Sequence, residues 1–197
     1  MTTRRAAWRR SDEVLTDEQC TMTVRDAGLS LVGTVLGADH GVPVRIEYRV
    51  AADGTGMTTA ANIRNLHGFA SGAMTLARDR RGTWTVDGVA APRLKGCTDL
   101  DLGCSPSTNT LPIRRLRLGV GASTTIQAAW VRFPELTVTK AAQTYTRLDE
   151  FTYRYASGTF EAEMTMDDEG MVAAYSVWQR TGFAVGLDDT EPLDAHR

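Results

Sequence analysis

Val42-Pro43-Val44-Arg45-Ile46-Glu47-Tyr48-Arg49-Val50 alternates apolar and charged side chains almost without interruption. Successive side chains of an extended segment point to opposite faces, so Val42, Val44, Ile46, Tyr48 and Val50 share one face while Arg45, Glu47 and Arg49 take the other. One face meets a core and the other meets water, which is how an antiparallel strand reads. Pro43 has no backbone donor and predicts an edge or unpaired position near the strand's start. Upstream, Leu29 to Leu36 reads as a second strand interrupted by Gly33, and Gly37-Ala38-Asp39-His40-Gly41 is the turn that makes the two a hairpin.

Working outward, Asp53-Gly54 opens the next turn, and strands are predicted at Thr58 to Leu66, Ala73 to Ala77 and Thr83 to Val86. Asp79-Arg80-Arg81-Gly82 and Asp87-Gly88 break them, giving the spacing of a meander. From Ala91 to Thr110 the pattern lapses into a long connection rich in Pro, Gly, Ser and Asn, the kind of segment that carries function. Leu111 and Ile113 are apolar on one parity and Leu116 and Leu118 on the other, which predicts a bulged strand with Arg114-Arg115 at the switch. Further strands are predicted over Thr124 to Phe133 and Leu136 to Arg147. In the last hairpin, Phe151, Tyr153 and Tyr155 alternate, Ser157-Gly158 turns, and Phe160, Ala162, Met164 and Met166 alternate back against Glu161 and Glu163. Helix signals are scarce, with one turn expected near Ser11 to Leu15, and there is no βαβ rhythm. The expected fold is therefore all-β with few short helical turns: an antiparallel rolled sheet, half-barrel or barrel of about ten strands, with room for an apolar cavity. Residues 1–187 are expected to form this one domain and residues 188–197 a polar C-terminal tail.

The chain has 197 residues, with Lys and Arg 22 against Asp and Glu 24, a formal charge of −2. That length supports a single core without disulfides. The near-neutral balance argues against a nucleic-acid partner. Arg4, Arg5, Arg9 and Arg10 are followed by Ser11, Asp12 and Glu13 rather than by an apolar stretch, so no secretory signal is read and a cytoplasmic location is expected. No apolar run approaches the ~20 residues that span a bilayer. Cys20, Cys97 and Cys104 lack metal-ligand spacing, so no metal or other cofactor is expected, and free thiols are the expected state in a reducing compartment.

Gly119-Val120-Gly121 lacks the closing glycine and following helix of a phosphate cradle and reads as a turn. No G-x-S-x-G surrounds a serine, and a hydrolytic triad would have to recruit His67, since His40 lies in a turn and His196 in the tail. Asp99-Leu100-Asp101 is the sharper candidate, because in an extended segment the two carboxylates lie on one side, roughly 6 to 7 Å apart at Cα. Such a pair serves either as acid and base, or as metal ligands beside a nucleotide sugar, or as a structural partner of Arg114, Arg115 or Arg93. The structural pairing is the commoner use. Small residues such as Ala128, Ala141 and Ala162 beside adaptable Met164 and Met166 predict either an open apolar cavity or one plugged by a helix or long loop.

Gly96-Cys97-Thr98-Asp99-Leu100-Asp101-Leu102 and Ser105-Pro106-Ser107-Thr108-Asn109-Thr110-Leu111-Pro112-Ile113-Arg114-Arg115-Leu116 resemble the bacterial glycolipid-binding family that was formerly a domain of unknown function. The likeness runs nearly end to end, through Trp8, Glu18, Gln143-Thr144-Tyr145, Tyr153-Arg154-Tyr155, Asp167 to Val172 and Tyr175. Gly54-Thr55-Gly56-Met57, Cys104 and Ser176-Val177-Trp178 depart from the family's pattern. The resemblance implies a rolled sheet or half-barrel similar to the periplasmic lipoprotein carriers, glycolipid binding, and no established catalytic residues. Together these readings predict a non-enzymatic protein that holds a glycolipid or other amphipathic molecule on the concave face. The ligand-binding residues are expected to be Asp99, Asp101, Asn109, Arg114, Arg115, Tyr145, Tyr153, Tyr155, Met164 and Met166. The rival readings are a carbohydrate- or nucleotide-sugar-active enzyme using Asp99 and Asp101, and an interaction or oligomerisation module.

Overall fold

The computed structural model describes residues 1–66 and 71–182. His67, His196, the domain limit at residue 187 and the expected tail 188–197 lie outside the described residues. Six long strands, β1 (Thr2–Ser11), β2 (Val14–Arg25), β3 (Gly28–Asp39), β4 (Val42–Asp53), β5 (Thr58–Asn65) and β6 (Gly72–Arg78), form an antiparallel meander. Two short strands extend it, β7 (Trp84–Val86) and β8 (Val89–Ala90). After β9 (Asp99–Leu102), a 3-10 turn (Ser107–Asn109) runs into helix α1 (Thr110–Leu116). A second meander follows: β10 (Ser123–Arg132), β11 (Thr137–Arg147), β12 (Thr152–Ser157), β13 (Phe160–Met166), β14 (Val172–Tyr175) and β15 (Trp178–Thr181).

β15 pairs with β1 and joins the two meanders into one sheet of 15 strands, ordered β8 to β1, then β15 down to β9. β9 lies parallel to β10, so the sheet is mixed rather than purely antiparallel. It is all-β and strongly curved, as expected, but it has more strands than ten because Thr2 to Arg25 and several short segments also join it. Among the described residues no ladder closes it into a barrel. The two arms are bridged at Thr58, which is fully buried at the start of β5. Its N–H donates to the Thr98 carbonyl at 3.0 Å, and its hydroxyl accepts from the Leu100 N–H at 3.0 Å.

Following the register across the sheet defines one concave face. Trp8 lies opposite Glu18, Cys20 opposite Gly33, Gly33 opposite Tyr48, and Tyr48 opposite Ile63. On the second meander the same face carries Tyr145, Tyr155 and Ala162, then Tyr153, Met164, Tyr175 and Trp178. Trp8, Leu31 and Val50 are completely buried there. Each such side chain contributes about 1.5 to 3 kcal/mol by leaving water, which is what holds a sheet of this size in a curl.

The segment Leu111 to Leu118, expected as a bulged strand, is instead helical over Thr110–Leu116 and lies buried at Leu111, Pro112 and Ile113. Pro112 falls in the first turn, where the missing N–H would have no helical partner anyway. The parity change at Arg114-Arg115 is thus a helical period, not a bulge. The helix ends at Arg117, which is left-handed and whose N–H bonds the Ile113 carbonyl at 3.3 Å. Of the two cavity states expected, an open room or a plug, the molecule has both: the 3-10 turn and helix fill the middle, and clefts remain at the two rims.

Gly33, which interrupts the β3 pattern, is explained by this packing. A Cβ there would stand 2.3 Å from the Tyr48 hydroxyl and 2.4 Å from its ring, so the missing side chain makes room for Tyr48 in the concavity. Gly33→Ala is expected to destabilise the protein by about 1 to 3 kcal/mol through overpacking. Gly119→Ala, where a Cβ meets open space, should be close to neutral, and urea unfolding of the two variants side by side checks the contrast.

Candidate functional site

Asp99 and Asp101 leave β9 on the same parity, yet their partners differ. Asp99 is 1% exposed and paired with Arg115 of α1 through both carboxylate oxygens, with the Thr98 hydroxyl donating to Oδ2 at 2.7 Å. Gly56 makes this arrangement sterically feasible: at φ +84° in the β4–β5 turn, its missing Cβ would stand 2.9 Å from Arg115 Cβ. Asp101 has no arginine. Gln143 Nε2 donates to its Oδ2 at 2.6 Å and the Thr108 hydroxyl to its Oδ1 at 3.4 Å. Burial pushes the Asp101 carboxyl up to about 6, against the pull of those two hydrogen bonds. The pairing with arginine expected of both carboxylates therefore holds for Asp99 alone.

A second buried carboxyl was not singled out as a site residue. Glu18 on β2 is 2% exposed, and its Oε1 accepts from the Tyr48 hydroxyl and from Ser105 Oγ at 2.6 Å. Ser107 Oγ completes the cluster, 2.8 Å from the Tyr48 oxygen and 2.7 Å from Ser105 Oγ. Burial pushes Glu18 up to about 7, partly offset by the hydrogen bonds from Ser105, Tyr48 and Ser107. Its Oε2 has no hydrogen-bond partner among the described residues. The Ser105 to Asn109 segment is thus held inside the sheet by two desolvated carboxyls, Glu18 at Ser105 and Asp101 at Thr108. The signal for Glu18 was available: it occupies the apolar parity of Thr16, Cys20 and Met22. Tyr48 was placed on the core face correctly, but alternation gives no partner.

Two large clefts flank this plug, one at each end of the strands. The upper cleft, about 830 Å³, opens where β1, β12 and β14 end, between Asp101, Ser105 and Asn109 on the plug side and Trp130, Tyr155 and Tyr175 on the sheet. Its wall is a run of aromatic contacts: Tyr155 meets Tyr175 edge-on at 5.8 Å, Phe160 meets both, and Tyr175 stacks on Trp178 at 5.6 Å with planes 5° apart. Phe160 remains 44% exposed at the mouth, so the wall is only partly covered by its own residues. Arg10 lies 4.8 Å over the Trp178 ring and pairs with Asp12. The lower cleft, about 860 Å³, opens at the opposite rim around Arg114, Arg115, Tyr153 and Met166. Its arginines are largely engaged: Arg114 with the Glu169 carbonyl, Arg115 with Asp99, and Arg147 with the Leu118, Asp149 and Glu150 carbonyls.

The ten expected ligand-binding residues consequently do not form one site. Asp101, Asn109 and Tyr155 line the upper cleft, and Arg114, Arg115, Tyr153 and Met166 line the lower one. Asp99 is enclosed in its ion pair. Tyr145 is buried at 1% and donates to Asn109 Oδ1 at 2.8 Å, positioning that amide. Met164 is fully buried core. Phe160, expected on the same face of the last hairpin, also lines the upper cleft, and Trp130, Trp178 and Arg10 join it there from strands that no local pattern brings together. All three cysteines are free thiols. Among the described residues there is no cluster of His, Cys, Asp and Glu able to hold a metal, and no helix long and apolar enough to cross a membrane.

An open, curled β-sheet with a buried plug and a cleft at each rim defines the class, a β-roll with a binding scaffold. A family model described as "Putative glycolipid-binding" matches residues 5–180, and the chain belongs to that family. The crystal structure of a DUF1089 family protein from Pseudomonas aeruginosa is similar at a TM-score of 0.72 and 31% sequence identity, over 83% of this chain and 92% of that one. No curated protein matches the chain.

The two raised carboxyls make stability depend on pH with a definite sign. A folded state that keeps Asp101 and Glu18 protonated above their usual values of 3.8 and 4.5 binds more protons than the unfolded chain. Their stabilisation is complete below those values and is lost as pH rises through about 6 and 7, on the order of a few kcal/mol in all. Glu18→Gln and Asp101→Asn should each flatten the decline between about pH 4 and pH 7, as read by urea unfolding across that range. Arg115→Met, which strands Asp99 without its cation, should instead cost about 3 to 5 kcal/mol near neutral pH.

Proposed function

We propose that the protein is a non-enzymatic carrier or sensor that binds an amphipathic molecule with a polar, hydroxyl-rich head, a glycolipid being the natural candidate, in the upper cleft of its concave face. The observation that carries this reading is the pairing of an aromatic wall, with Tyr155, Tyr175 and Trp178 largely buried and Phe160 standing exposed over them, with the Asp101 carboxyl and the Asn109 amide across the same cleft. Aromatic faces take the apolar surface of a ring or chain, and a few convergent polar groups fix its orientation. The family description supports the same reading. Asp99 contributes indirectly, because its bond to Arg115 holds the plug that forms the cleft's inner side. An acid and base pair built on Asp99 and Asp101 would need Asp99 free, and both of its oxygens are engaged.

Native mass spectrometry of freshly purified protein should reveal a co-purifying amphipathic molecule. Phe160→Ala should weaken its retention about tenfold, the scale of one lost aromatic contact. Asp101→Asn should alter head-group preference more than overall affinity. Recovery of wild-type retention in Phe160→Ala, or turnover of a glycoside by the wild type, would overturn this assignment.

A further inference from the structure

Beside the upper cleft lies a smaller and more enclosed pocket of about 250 Å³, set where β2 begins and β3 and β4 meet their turn. Its walls are Val14, Val35, Val42, Val44, Ile46 and Phe133. The charged groups at its rim are already partnered: His40 Nδ1 lies 2.6 Å from Asp39 and its Nε2 3.2 Å from Glu13, while Arg10 bonds Asp12 at 2.8 Å. Arg10 and Gly103 line both this pocket and the upper cleft, so the two are neighbours across that pair. An aromatic, polar-floored cleft is therefore flanked by a pocket whose walls are mainly branched aliphatic side chains, with Thr16 and Asn65 among them.

Building on the proposed binding role, we infer that this pocket is the tail subsite and that it measures the ligand's alkyl chain. A methylene occupies roughly the same space as a water molecule, about 30 Å³, so the pocket accommodates about eight carbons. The ligand class is then a medium-length single-chain amphiphile, its head against Trp178 and Asp101 and its chain passing Arg10 and Gly103 to end among Val35, Val44 and Ile46. Cys104 lines the same pocket as a free thiol, and an occupying chain would cover it.

The test uses n-alkyl β-D-glucosides of increasing chain length, each below its micelle concentration, titrated into the full chain by calorimetry. Affinity is expected to rise about fourfold per methylene and to level off near eight carbons. Val44→Phe should move the plateau about two carbons shorter and leave the shortest homologue unchanged. In the wild type, saturating octyl glucoside but not butyl glucoside should protect Cys104 from alkylation, read by peptide mapping, which needs no variant to fold. Binding whose affinity climbs past twelve carbons, or octyl glucoside that binds without protecting Cys104, would overturn the tail subsite while leaving the upper cleft as a binding site. Absence of binding by every homologue would overturn both.

Discussion

A sheet that curls without closing has a concave face larger than its own side chains can cover, and everything else in this molecule follows from how that face is filled. The filling is the crossing chain from Asp99 to Leu116, held by Thr58 at one end, by Glu18 in the middle and by the Asp99–Arg115 pair at the other. Backbone polar groups taken into a sheet interior must find partners. Here Ser105, Ser107, Thr108 and Asn109 bond mostly to one another and to inward-facing Glu18, Tyr48, Asp101 and Tyr145. A polar plug thereby becomes compatible with a core of Trp, Met and Leu.

The plug also decides where open space remains. A fully apolar filling would have packed the concavity to the density of ordinary interiors. A short helix and a 3-10 turn instead stop short of both rims, leaving one cleft edged by engaged arginines and another edged by aromatic rings. The same desolvation that lifts Glu18 and Asp101 ties plug retention to proton binding. The shape of the upper cleft and the stability of the fold thus share the same two carboxyls, since both depend on keeping Ser105 to Asn109 in place.

Comparison with the family sharpens this picture. Of the residues that carried the resemblance, Trp8, Glu18, Gln143, Tyr145, Tyr153, Tyr155 and Tyr175 are distant in sequence yet share the concave face by register, while Thr144 and Arg154 take the other face. They line or support the plug and its clefts. Trp8 is an example: its indole N–H donates to the Val172 carbonyl at 2.8 Å, tying β1 to β14 across the seam between the two meanders.

Alternation alone determined the all-β class, the β3–β4 and β12–β13 hairpins, and the inward face of Tyr48, Tyr153, Tyr155, Met164 and Met166, because a two-residue period is a local property of an extended chain. It misread Leu111 to Leu118, where a helix of only about two turns is too short to show its period and resembles a slipped strand. Asp99 and Asp101 share one parity, yet β9 is buried on both sides at Asp99, Leu100 and Leu102, so spacing could not say that one aspartate meets an arginine and the other an amide and a hydroxyl. The division of the expected site into two clefts, the buried Glu18 cluster, and the meeting of Arg10, Trp130 and Trp178 at one rim were decided by tertiary structure. They depend on which strand ends the curl brings together, and that is set by long-range register rather than by any local pattern.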